Sequence, residues 1–308
     1  MIDYAGTMFR YVSIALLALA VGIPPSSAAA PDAFTPLRWP DLTKRVQPKP
    51  DATIAYGPDA QQKVDVWLPA SAGKHPIVVM VHGGCWTTSI ADRSLMNWIA
   101  DDLRTSGIAV WNIDYRGVDV PGGGYPGTFL DTGAAADALK AHAAQYHLDT
   151  KRIVAVGHSA GGHLALWLAA RPRIARSSPL HAAHPLKIAH VISLGGLPDL
   201  AATAASPDNG CGVEVVAQLV GKPGARPDIY TDTSVPRLLP LGVPQDLVNG
   251  AEDKIIPLRL GSGYEAQARA KGDRVALHVV ERTGHVELIA PESAAWVATK
   301  QIIVRALR

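Results

Sequence analysis

Apolar and polar positions follow two periods along this chain. Residues 63–68 alternate every second position, which predicts a strand with one covered face. Residues 77–81 form a continuous, largely β-branched run, as expected of a strand covered on both faces. Residues 108–115, 153–156, 188–194, 245–248 and 275–280 read the same way. Between them, residues 93–106, 130–147, 162–170, 263–271 and 294–306 carry apolar side chains at three-to-four spacing and predict helices. Strand and helix alternate over most of the chain, the pattern of a parallel sheet with helices on both faces. Right-handed crossovers leave few other topologies.

Three segments break the alternation. Residues 31–50 hold several prolines and little periodicity, so they read as an extended lead-in. Residues 118–128 contain Pro121-Gly122-Gly123-Gly124 and Tyr125-Pro126-Gly127, which is loop chemistry. Residues 198–244 are rich in Pro, Gly and Asp and weakly periodic, with one short predicted helix at 213–220. Long inserts of this kind usually serve as lids or binding loops.

The first thirty residues have a character of their own. Arg10 precedes an almost wholly apolar run to Ile23, followed by Pro24-Pro25-Ser26-Ser27-Ala28-Ala29-Ala30. A basic flank, a short apolar run and small residues describe a secretory signal peptide, with cleavage expected near Ala29 or Ala30. Met8 is an alternative start. The run falls short of the ~20 residues of a membrane span, so no stable span is expected after processing. The expected location is periplasmic or extracellular. A domain over residues 51–308 would then follow the lead-in.

Composition narrows the function. Of 308 residues, 48% are hydrophobic, and 29 Lys+Arg against 27 Asp+Glu leave a net charge of +2. That excludes a disordered chain and argues against a nucleic-acid partner. Two cysteines cannot form a disulfide scaffold or an all-Cys zinc site.

Gly157-His158-Ser159-Ala160-Gly161 fits G-x-S-x-G, between a predicted strand and a predicted helix. That context turns a weak pattern into a nucleophile elbow, with Ser159 beside the positive end of a helix. A serine needs a base, and the base needs an orienting acid. After the strand at 245–248 comes Gly250-Ala251-Glu252-Asp253, and after that at 275–280 comes Thr283-Gly284-His285. Ser159, Asp253 and His285 follow the Ser…Asp…His chain order of hydrolases built on such a sheet. Glu252 is the nearest rival for the acid and Asp199 a distant one. His82-Gly83-Gly84-Cys85-Trp86 follows the strand at 77–81. Gly83 or Gly84, with Ala160, would donate backbone N–H groups to an oxyanion.

With these motifs the sequence resembles the α/β-hydrolase superfamily from about Lys63 onward. Within it, His82-Gly83-Gly84-Cys85-Trp86 and Asp114-Tyr115-Arg116 resemble kynurenine formamidases and nearby bacterial esterases. Those esterases include feruloyl, acetyl xylan and prolyl-oligopeptidase-like enzymes. The resemblance implies a mostly parallel sheet of about eight strands with a lid-like insert after the sixth. It implies Ser159 as nucleophile, His285 as base and Asp253 as orienter, without metal or organic cofactor. One departure is Asn249, where members of that group often carry His.

Other residues carry two readings each. His158 and His163 flank the elbow; no acidic or thiol residue nearby completes a metal set, so packing roles are expected. His82 is expected to bond backbone and hold the glycine turn. Trp86 either lines the substrate pocket or packs under its loop. Tyr125 and Trp167 are expected to pack. Export makes a Cys85–Cys211 bridge possible, tying the insert to the rim of the site; the alternative is a buried Cys85 and an exposed Cys211.

The expectation is an exported serine hydrolase of small carboxylic esters. The enzymatic alternative is a formamide or aryl-amide hydrolase. The alternative from another class is a non-catalytic binding protein on a hydrolase fold.

Overall fold

A computed structural model of the chain describes Met1, residues 34–224 and residues 226–308. The apolar run and small-residue tail of the expected signal peptide lie outside the described residues. The chain divides into Met1–Phe34 and a compact unit, Thr35–Arg308.

Eight strands form one sheet in that second unit: β1 (Ala52–Ala55), β2 (Lys63–Trp67), β3 (His75–Val81), β4 (Ala109–Ile113), β5 (Leu148–His158), β6 (His190–Leu194), β7 (Gln245–Gly250) and β8 (Val275–Val280). Their order is β1-β2-β4-β3-β5-β6-β7-β8. Strands β3 to β8 pair in parallel, while β1 and β2 run antiparallel at one edge. The short strand β1 was not expected from periodicity; at four residues it is too brief to show a period. Strand β2 is also more enclosed than its alternation suggests. Asp65 is buried on it because Thr53 Oγ1 donates to its carboxylate at 2.6 Å and Arg93 Nε lies 2.8 Å away.

The helices are α1 (Trp39–Thr43), α2 (Asn97–Thr105), α3 (Gly127–His142), α4 (Ala160–Ala170), α5 (Leu200–Ala204), α6 (Val213–Val220), α7 (Leu258–Ala270) and α8 (Ala294–Ala306). One apolar cluster holds residues of α3, α4, α6 and α7; another holds residues of α1, α2 and α8. Even-numbered residues Val78 and Met80 of β3 enter the second cluster and odd-numbered Ile77, Val79 and Val81 the first. This is the two-residue alternation of a strand feeding two layers. Every residue of α4 is buried. Its all-round apolar sequence suits a helix packed under both the sheet and the insert.

The lead-in is not merely extended. Residues 35–50 carry α1, whose Leu42 is fully buried in the α2–α8 cluster. The insert between β6 and β7 holds α5, α6 and a short 3₁₀ turn, Val235–Leu238. Among the described residues no helix is long and apolar enough to cross a membrane.

Candidate active site

The C-terminal ends of β3, β5, β7 and β8 bring the expected residues together. Ser159 sits between β5 and α4 with φ 56° and ψ −123°. This backbone is costly for a residue with a Cβ and is typical of functional turns. It is secured by the Ser159 N–H donating to Leu194 O at 2.8 Å, and by Gly162 N donating to Ser159 O at 2.8 Å. The turn is too tight for a side chain at Gly157, where a Cβ would lie 1.9 Å from Gly161 O.

His285 Nδ1 lies 2.7 Å from Asp253 Oδ2, and the two side chains are 3% and 1% exposed. Asp253 Oδ1 in turn accepts the N–H groups of Ile255 at 2.8 Å and Ile256 at 2.9 Å. The acceptor-only carboxylate therefore leaves the Nδ1–H tautomer of His285 as the bonded one, with Nε2 free to take a proton. The rivals for the acid are occupied elsewhere. Glu252 Oε2 accepts Thr283 N at 2.9 Å, and Asp199 Oδ1 caps α5 through Ala201 N and Ala202 N.

His285 stands over the elbow. His158, one residue before Ser159, has its ring centroid 4.4 Å from that of His285, and its Nε2 donates to His285 O at 3.1 Å. A side chain on Gly195, next to the Leu194 carbonyl that holds Ser159, would come within 3.2 Å of the His285 ring. Among the described residues no group accepts the Ser159 hydroxyl. Catalytic hydrogen bonds are often long without substrate and tighten when it binds.

The loop after β3 bends through a run of positive φ: Gly84 at 102°, Cys85 at 51° and Trp86 at 53°. His82 pins it, with Nδ1 2.7 Å from Gly83 O and Nε2 3.0 Å from Asp114 Oδ1. Tyr115 stacks on the His82 ring at 4.4 Å and donates its hydroxyl to His82 O at 3.1 Å. Arg93 Nη1 holds the other oxygen of Asp114 at 3.0 Å. Among the described residues no acceptor takes the N–H groups of Gly83, Gly84 or Ala160. The Ala160 amide is free because the first helical N–H has no partner within its helix. Gly83 has no room for more than hydrogen: a Cβ there would sit 2.9 Å from His158 Nδ1 and 3.0 Å from Ser159 Cβ.

Trp86 packs beneath its loop. The side chain is fully buried and meets His163 edge-on at 5.6 Å. Burial drives the His163 pKa down to about 4, partly opposed by the Thr233 carbonyl that accepts from its Nε2 at 2.8 Å. Burial, and next the neighbouring His285, push His158 well below the usual histidine range. In both rings Nδ1 has no partner, which fits a neutral imidazole.

Cys85 and Cys211 are bonded, with Cα atoms 5.3 Å apart. The bridge joins the glycine loop to the insert. Trp167 Nε1 donates to Asp232 O at 2.8 Å, and the Tyr125 hydroxyl to Asp232 Oδ2 at 3.0 Å, so both residues also fasten the insert. The Arg226 guanidinium lies 3.4 Å over the Tyr125 ring.

Two contributors escaped the sequence reading. Trp39 of α1 stands edge-on to both His285 and His158, with centroids 6.1 Å away. Glu287 is buried and accepts Leu37 N at 2.5 Å with one oxygen and Gly284 N at 3.0 Å with the other. A lone Trp-Pro pair and a Glu two residues after the histidine carry no pattern that announces such contacts.

The sheet order, the elbow after β5 and the acid and histidine after β7 and β8 define an α/β-hydrolase. The profile of the BD-FAE family matches residues 64–264, and the chain belongs to that family. Among curated proteins it is similar to a probable isoprenylcysteine alpha-carbonyl methylesterase, ICMEL1, of Arabidopsis thaliana. That match is 32% identical over 114 residues, 37% of this chain and 23% of that protein. It is also similar to a probable carboxylic ester hydrolase, LipM, of Mycobacterium tuberculosis, 30% identical over 133 residues, 42% of this chain and 30% of that protein. The chain thus matches less than a third of the length of either relative. Among solved structures, a truncated carbohydrate esterase from gut microbiota superposes with a TM-score of 0.71 at 18% identity, covering 84% of this chain and 97% of that one. A bacterial heroin esterase gives 0.63 at 22% identity, covering 83% and 84%. At such identities the likeness is one of fold.

Proposed function

We propose that this protein is an exported serine hydrolase that cleaves small carboxylic esters through an acyl-enzyme. The observation that carries the reading is the 2.7 Å bond between His285 Nδ1 and Asp253 Oδ2, on loops that meet beside the Ser159 elbow. In this mechanism His285 Nε2 takes the proton of Ser159 Oγ as that oxygen bonds the ester carbon. The carbonyl oxygen gains the charge and is met by the N–H groups of Gly83 or Gly84 and of Ala160. Asp253 stabilises the imidazolium without taking its proton. The carbon–oxygen bond to the alcohol breaks, and His285 passes its proton to the leaving oxygen. Water then attacks the acyl carbon, yielding a proton to His285, and the acid leaves as Ser159 recovers its hydrogen.

Both curated relatives are described as probable ester hydrolases, which favours esters over formamides. Export is supported by the apolar run to Ile23 with the small residues Ser26 to Ala30 after it, and by the Cys85–Cys211 bond, since disulfides persist in oxidising compartments. Labelling by a fluorophosphonate probe tests the serine reading. Wild type is expected to label at Ser159, and Ser159→Ala is expected to lose the label and about 10⁴-fold or more of its turnover. Unlabelled wild type would establish a binding protein instead. Comparing p-nitrophenyl acetate with N-formylkynurenine separates ester from formamide chemistry.

A further inference from the structure

The lead-in passes beside His285 and His158 through Trp39 and is fastened at both ends. Near Pro36–Leu37 it meets the His285 loop: Glu287 holds Leu37 N, and a Cβ on Gly284 would touch Pro36 Cβ at 3.0 Å. Farther on it lies along α2, where Trp98 Nε1 donates to Val46 O and Asn97 Nδ2 to Pro48 O, each at 3.1 Å. Between these fastenings, Trp39 and Thr43 form one side of a cavity of about 360 Å³. Gly84, Ile90, Ala91 and Leu95 form the other. The cavity therefore touches the oxyanion loop through Gly84 and the His285 ring's neighbour through Trp39. Its size lies at the small end of the ~300–1,000 Å³ common for ligand sites. Its walls are mostly apolar. A second space of about 320 Å³ shares Thr43, Ile90, Ala91 and Leu95 and opens outward onto Gln47, Asp92 and Ser94.

We infer that this cavity is the subsite for the alcohol portion of the ester, and that Trp39 sets its selectivity. The inference rests on the serine-hydrolase reading above. The side follows from the proton. The leaving alcohol oxygen must face His285 Nε2 to receive it, so the group attached to that oxygen leaves on the side where Trp39 flanks His285. The acyl portion then points toward the insert. The chemistry of the walls selects an alcohol with an apolar stem, a ring or a chain of about six carbons by cavity size, with its far end free to be polar.

The test uses two ester series on the purified protein. One holds the acyl group as acetate and lengthens the alcohol from ethyl to butyl to hexyl; the other holds ethanol and lengthens the acid to hexanoate. The wild-type ratio of kcat/KM for hexyl over ethyl acetate is expected to exceed about 10, since each well-placed methylene discriminates strongly. Trp39→Ala is expected to bring that ratio toward one while leaving the ratio of ethyl hexanoate to ethyl acetate in place. Thr43→Trp fills the cavity from an exposed position on α1 and should also lower the alcohol ratio. It keeps the test decisive even where Trp39→Ala fails to fold. Movement of the acyl ratio in place of the alcohol ratio would overturn the inference, as would no movement in either variant. Fluorophosphonate labelling of the same samples separates the failures. Labelled Ser159 with unmoved ratios sinks the subsite alone, whereas unlabelled wild type sinks the serine reading and the subsite with it.

Discussion

On one side of Ser159 the chain is held by Glu287, whose two oxygens take N–H groups from Leu37 and Gly284. On the other side it is held by the bond between Cys85 and Cys211, backed by Trp167, Tyr125 and His163. The first wall is fastened by a buried carboxylate and by backbone carbonyls along α2. The second is fastened covalently to the loop that carries Gly83 and Gly84. Polar fastenings respond to charge and local packing; a disulfide responds to redox state. The two walls can therefore be loosened separately, and each loosening should report on a different half of the substrate.

The largest effect belongs to the centre between the walls. Gly83→Ala places a methyl within 3.0 Å of His158 and Ser159, so the glycine loop must withdraw. Loss of one oxyanion donor costs about 3 kcal/mol of transition-state stabilisation, and kcat should fall for all esters alike. A change in selectivity in place of rate would mean that the loop belongs to one wall. Next comes Cys211→Ser, which releases the insert wall. Removing a native disulfide typically costs about 2–5 kcal/mol. Chemical denaturation should show that loss, and wild type under reductant should match the variant. Glu287→Gln attacks the lead-in wall. One of two charge-assisted bonds is lost, and stability should drop by about 1–3 kcal/mol with the disulfide intact. Equal sensitivity of both variants to reductant would erase the distinction between the walls.

The last effect is graded by pH and vanishes at neutrality. Unfolded His163 takes its proton near 6.5, whereas burial in the fold delays this to about 4. The unfolded chain thus binds the extra proton first. Stability is whole above pH 6.5 and falls as the pH drops toward 4, by about 1.4 kcal/mol per pH unit for this one ring. His163→Gln should flatten that decline in an acid-unfolding series, and an unchanged slope would place the acid sensitivity elsewhere.

How far the sequence could be read differs between these parts for physical reasons. Six of the seven predicted strands form the parallel run and the seventh, β2, is its neighbour, because covered strands must be apolar, and that leaves a plain trace. Helix α8 was legible to the residue, since a surface helix between Ser293 and the chain's end shows its stripe; α2 was shortened because its first turn, Arg93–Met96, is 3₁₀. The elbow was legible because its glycines are demanded by local geometry. Asp253 stood ahead of Glu252 by chain order and resemblance, but neighbouring carboxylates in one turn are told apart fully only by what lies across from them. Glu252 meets a backbone N–H and Asp253 meets His285. The role of Trp39 was illegible for the same reason on a larger scale. Its helix has five residues, too few for a period, and its partners stand more than a hundred residues away.

The bond between Cys85 and Cys211 closes a covalent ring over 126 positions of sequence. Ser159 lies inside that ring, while Asp253 and His285 lie outside it. A protease that nicks the chain once within the ring, even in the exposed stretch near Arg176, leaves both pieces joined. The nicked protein should run as a single band without reductant and as two with it. A cut between Cys211 and Asp253, by contrast, severs the covalent link between the piece that holds Ser159 and the piece that holds Asp253 and His285, with only packing to keep them together.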